Sequence, residues 1–143
     1  MIFLNLLIVI LILVFDFIWL IVNRNMYNTL VSDIQGSEIK LNFTGGIIAY
    51  TCIIISFFMF AFPLVRYEYE KNNKKQSLIL LSLKYGGILG LVIYGIFNGT
   101  NIAIFTNYNY TIGLKDTLWG IFNYSIITYI YTKLYYSNIS SIS

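Results

Sequence analysis

The 143-residue chain has no histidine, one cysteine, Cys52, and one proline, Pro63. Without histidine there is no imidazole metal site and no histidine general base, and a lone cysteine cannot close an intrachain disulfide. No metal, cofactor or catalytic residue is expected, and Cys52 reads as a buried apolar residue. Charge is scarce as well. Charged residues make up 10% of the chain, against about 25% in an ordinary soluble domain. The net charge of +3 is spread too thinly to form the basic surface of a nucleic-acid reader or to favour an acidic partner. Pro63 falls near the end of an apolar run, no long low-complexity tract or linker interrupts the chain, and residues 1–143 read as one domain. What the chain has is apolar bulk: 58% hydrophobic residues and a mean hydropathy of +0.75. This is the composition of a membrane protein, with the lipid bilayer as its first partner.

Four apolar runs stand out, at about 2–22, 45–65, 78–105 and 117–136. Each matches the roughly 20 helical residues that cross a hydrocarbon core of about 30 Å. Lipid leaves backbone groups no partner outside their own segment, so helices are the default. The expectation is an all-α, integral membrane, four-helix transmembrane bundle. The first run lacks a basic start and a small-residue cleavage site, and reads as a retained helix rather than a signal peptide. Segments 23–44 and 106–115 read as loops. Arg66, Lys71, Lys74 and Lys75 crowd the segment 66–77, and Lys84 can reach back to the same side. The positive-inside bias places that segment and both termini in the cytoplasm. Six tyrosines at the expected helix ends, among them Tyr67, Tyr69, Tyr135 and Tyr136, fit an interfacial aromatic belt.

Ionisable groups inside a span are costly, about 2.5–3.5 kcal/mol for Asp on insertion scales, so Asp16 needs a reason. It lies about 9 Å inside the end of the first run, at about 1.5 Å per residue. Asn98 and Asn123 fall at a similar depth, with Thr100, Asn101 and Asp116 nearer the outer surface. Asp16 and Trp19 share a helix face, as do Asp116, Trp119 and Asn123, and Tyr94, Asn98 and Asn101. If these faces pack inward, Asp16 accepts from Asn98 or Asn101, or stays protonated. The polar set reads either as interhelical glue or as a ligand, proton or substrate site. Asp116 reads first as a cap of the last helix. The segments around Asp16 and Asp116 share D-x-[IL]-W-x-I-x-N. Because their helices run in opposite directions with the acids at different depths, this reads as coincidence. Two small-xxx-small pairs, Gly86 with Gly90 and Gly95 with Gly99, mark the third run as the central, closely packed helix, with homo-oligomerisation through this face as the alternative. Of the N-x-[ST] sequons, Asn42 and Asn109 lie in outer loops close to the membrane, and the set reads mostly as chance.

Several of these motifs, taken in order, resemble one family. They are Phe15-Asp16 with Trp19-Leu20, Met26-Tyr27, the glycine-rich stretch from Leu83 to Gly95, Thr100-Asn101, and Asp116 with Trp119-Gly120. Together they resemble the small membrane proteins called domain of unknown function 2177, across nearly the whole chain. The resemblance implies four helices, and the same polar residues as the site. Where that family often carries Asp before x-T-N, this chain has Asn98, which cannot titrate. The resemblance brings no activity with it. The readings in play are a small transporter, channel or carrier component with an intramembrane polar site, a structural or accessory membrane protein held by polar glue, and a membrane-embedded lipid enzyme. The last lacks any evident nucleophile–base pair, so an enzyme is not expected. A water-accessible cavity reaching Asp16 would separate the first reading from the second.

Overall fold

The computed structural model describes residues 2–140. Among them all regular structure is helical, in five elements: α1 (Ile2–Val22), α2 (Arg24–Gln35), α3 (Phe43–Lys71), α4 (Leu78–Ile104) and α5 (Tyr110–Ser140). Helices α1, α3 and α4 are long and apolar enough to cross a membrane. The fourth expected span, 117–136, lies inside α5, which is helical over a longer stretch but markedly less apolar. By length and composition, then, three of the four expected spans qualify as membrane-crossing helices.

Burial explains the difference. Helix α5 contributes more buried positions than any other helix, including Asp116, Asn123, Thr128 and Thr132, and is packed on by α1, α3 and α4. Facing protein, it can carry polar side chains that a lipid-facing helix cannot. The expected central helix, the third run, is displaced from that role by α5. Helix α1 shows the opposite pattern. Leu4, Ile8, Ile12 and Asp16 form a buried i, i+4 stripe, while Ile2, Phe3, Leu6, Ile10 and Ile21 are exposed, as an apolar helix against lipid requires.

Contacts along the helices fix their directions. Tyr131 bonds Asn5 near one end, and Asn123 bonds Asp16 further along, so α1 and α5 are antiparallel. Gly86 meets Thr128 and Asn98 meets Asp116, so α4 and α5 are antiparallel too. Helix α3 runs with α5, from Ser56 beside Tyr124 to Glu70 beside Tyr136. One π-helical turn interrupts α3 (Phe57–Ala61) and another α4 (Leu83–Gly87). Phe57, Ala61 and Val65 of α3 are buried, whereas Phe43–Ser56 has no buried residue. Helix α3 therefore packs most deeply from its π turn onward, while its first half touches the bundle through Tyr50, Ile53 and Ser56.

Only the first pair of expected packing glycines lies in an interface. A Cβ on Gly90 would collide with the carbonyl of Gly120, and one on Gly86 would come within 2.5 Å of Thr128 Oγ1. Gly95 and Gly99 have nothing within 4 Å of a built Cβ. Five residues separate Gly90 from Gly95, which turns Gly95 about 140° around the helix at about 3.6 residues per turn. Gly120 was not anticipated: its missing side chain makes room for the Tyr94 ring.

The expected loop 23–44 contains α2, whose Leu30, with Met26, Tyr27 and Ile34, packs on Tyr108, Ile112 and Ile102. Asn42 Oδ1 caps α3 by accepting the N–H of Gly45, and Asn109 Oδ1 accepts those of Thr111 and Ile112 at the start of α5. Asp116 lies well inside α5 and is not its cap.

Candidate functional site

The two D-x-x-W segments meet. Trp19 and Trp119 stack with ring centroids 4.8 Å apart and planes 5° from parallel. Each indole then donates to the other segment's acid: Trp119 Nε1 to Asp16 Oδ1 at 3.1 Å, and Trp19 Nε1 to Asp116 Oδ1 at 3.2 Å. Opposite helix directions make this exchange possible. On antiparallel helices, a residue three positions after one acid comes level with the other acid. The echo is therefore a reciprocal contact and not a coincidence.

Each carboxyl group gains further donors. Asp16 Oδ1 also accepts from Asn123 Nδ2 at 2.8 Å and from Tyr94 OH at 3.1 Å. Asp116 accepts from Tyr27 OH at 2.6 Å and from Asn98 Nδ2 at 2.9 Å. Asn98 is held in turn by Tyr108 OH, which donates to its Oδ1 at 2.6 Å. Both acids are buried, at 6% and 7% exposure. Indole and amide N–H groups can only donate, so each acid accepts at least two hydrogen bonds. Each of these donors is neutral, and none of the chain's lysines or arginines is among them.

Six of the expected site residues thus come together: Asp16, Trp19, Asn98, Asp116, Trp119 and Asn123. Their pairing differs from expectation, since Asn98 serves Asp116 while Asp16 is served from α5 and by Tyr94. Thr100 stays outside, exposed, its hydroxyl turned back to the carbonyls of Ile96 and Phe97. Asn101 lies beside Tyr108 and not Asp16. The symmetry also stops at the asparagines. Asn123 bonds Asp16, but its counterpart Asn23 folds back onto the Trp19 carbonyl.

Of the tyrosines that complete the site, Tyr94 was expected on the inward face beside Asn98, whereas Tyr27 and Tyr108 were not expected there. Tyr27 reaches in from α2, where it also accepts from Trp19 Nε1 at 2.8 Å. Burial and the adjoining Asp116 carboxylate push its phenol far above the ordinary range, so it remains a donor. The apolar spacing of Met26, Leu30 and Ile34 was the available signal for a helix there. Tyr27→Phe removes a hydrogen bond to a charged group, of about 1.5–3 kcal/mol. The expected result is faster amide exchange across residues 24–35 by about tenfold or more. Unchanged exchange there would show that α2 is held by its apolar contacts alone.

Above Asp16 lies a partly open cavity of about 600 Å³, bounded by α1, α3, α4 and one residue of α5. Its α3 wall is Ala49, Tyr50, Cys52, Ile53 and Ser56, from the half of that helix with no buried residue. Asp16, Trp19, Tyr50, Tyr94, Phe97 and Asp116 all line it, and so does Cys52, which is exposed and not buried as expected.

No curated protein and no solved structure matches this chain. The family described as "Predicted membrane protein (DUF2177)" matches residues 1–132, a range that takes in both D-x-x-W segments, α2 and the glycine-rich face of α4. The chain therefore belongs to the DUF2177 family of predicted membrane proteins.

Proposed function

We propose that this protein is a multi-pass membrane protein that binds a small solute within the membrane, as a small transporter, channel or carrier component. The observation carrying this reading is the cavity of about 600 Å³ that reaches Asp16, a carboxyl group inside a candidate span. Intramembrane ionisable residues line solute pathways far more often than they face lipid. Pockets of this size accommodate a small organic molecule. In this reading α5 also crosses the membrane, since it lies antiparallel along α4 and carries its polar residues toward protein.

Cys52 supplies the test, because it lines the cavity and is the chain's only cysteine. A thiol reacts as thiolate, which requires water. In liposomes, a water-soluble methanethiosulfonate reagent should modify Cys52 about tenfold faster than a cysteine at Ile10 on a Cys52→Ser background. Ile10 is exposed on the outer face of α1 and would lie in lipid. Equal, slow modification at both positions would mean a dry cavity. That outcome would favour the second reading, an accessory protein whose polar residues act as interhelical glue. The full set of protein donors around both acids speaks for that alternative.

Orientation follows from charge. Arg66, Lys74, Lys84 and Lys133 gather at the end of the bundle that also holds the first residues of α1 and the last of α5. There they lie over the rings of Tyr135, Tyr136, Tyr85 and Tyr129. We place that end in the cytoplasm. Asn73→Cys on the Cys52→Ser background should then be labelled by an impermeant reagent only after the cell membrane is opened. Labelling of intact cells would invert the topology.

A further inference from the structure

We propose that the Asp16 cavity takes an apolar monovalent cation, an organic ammonium or phosphonium group. This rests on the solute-site reading above and specifies its ligand class. Two features of the cavity carry it. The first is charge: Asp16 and Asp116 both line the cavity, and each accepts hydrogen bonds from neutral donors only. A carboxylate in a low-dielectric site is strongly stabilised by an opposite charge, and the cavity wall includes no lysine or arginine. A cation entering the cavity complements both acids at once.

The second is the wall. Trp19, Tyr50, Tyr94 and Phe97 put four aromatic rings around the same space. Aromatic faces attract cations whose charge is spread over alkyl or aryl groups, the arrangement that recognises quaternary ammonium ligands. A hard metal ion is poorly suited by comparison. Ca²⁺ needs about six to eight oxygen ligands, and no group of three metal-ligating side chains occurs among the described residues. An anion would meet two carboxylates, and a neutral solute would leave both uncompensated.

Tetraphenylphosphonium and tetraphenylborate test this directly, having one shape and opposite charge. Equilibrium dialysis against the full chain in detergent should show saturable binding of the phosphonium and about tenfold weaker binding, or none, of the borate. Asp16→Asn should weaken phosphonium binding by about tenfold. Tyr50→Leu makes a second variant, because Tyr50 donates to neither acid; it should weaken phosphonium binding severalfold without loss of the fold. Equal binding of both ions, or phosphonium binding that neither variant changes, would overturn the charge assignment. Absence of phosphonium binding would overturn it as well. Cys52 labelling decides the solute-site reading separately. A labelled Cys52 with no preference for the cation leaves a water-filled solute cavity of a different selectivity.

Discussion

Gly90→Leu is expected to abolish folding of the bundle, while Gly95→Leu on the same helix leaves it intact. At Gly90 even a single added carbon would collide with the Gly120 carbonyl. That neighbour is backbone in the middle of α5, and no rotamer change can move it aside. Overpacking a core costs about 1–3 kcal/mol where side chains can adjust, and separating α4 from α5 exceeds that range. It would also pull Asn98 from Asp116 and Tyr94 from Asp16. Gly95 has open space around its Cβ position, so a leucine there adds one more apolar side chain to the outer face. Size-exclusion profiles and thermal unfolding in detergent check the pair. Gly90→Leu with wild-type unfolding would mean that α4 and α5 do not approach at this point.

The second large effect is expected at Asp16, from Asp16→Leu. The leucine removes the acceptor for three donors, the buried Asn123 Nδ2 and the half-buried Tyr94 OH and Trp119 Nε1. Each orphaned donor costs about 1–3 kcal/mol, so a total loss of roughly 3 kcal/mol or more follows. Asp16→Asn keeps an acceptor oxygen and should lose far less. Because Trp119 acts through Asp16, Trp119→Phe should cost less in the Asp16→Leu background than in the wild type, with a coupling of about 0.5–3 kcal/mol. Strict additivity of the two changes would show that the bond between them contributes nothing. Asp16→Leu as stable as Asp16→Asn would remove the case for a network at all.

How much of this was legible depended on the scale of the signal. Hydropathy over about twenty residues located the long helices, because lipid imposes that length directly. The burial of Asp16 was legible too, since it continues the i, i+4 stripe of Leu4, Ile8 and Ile12. The reciprocity of the two D-x-x-W segments was not. Starting the last helix at 117 put Asp116 at its rim. The helix begins at Tyr110, which carries Asp116 nearly two turns inside and level with Trp19. Helix α2 was obscured by its polar composition, although its apolar spacing was there to be read. The cavity lay beyond reach, because it depends on how far α3 stands from its neighbours, and no pattern within α3 encodes that distance.

The crossed contacts between the first and last helices also set an order of assembly during synthesis. Asp16 is separated from Trp119 by 103 residues and from Asn123 by 107. At about 5–20 residues per second, roughly five seconds or more pass between the emergence of the acid and that of its partners. Throughout that interval α1 carries a carboxyl group whose donors on α5 have not yet been made. Helix α1 is therefore completed only when α5 arrives, and in nascent chains halted before α5 the Asp16 carboxyl should lack the bonds of Trp119 and Asn123.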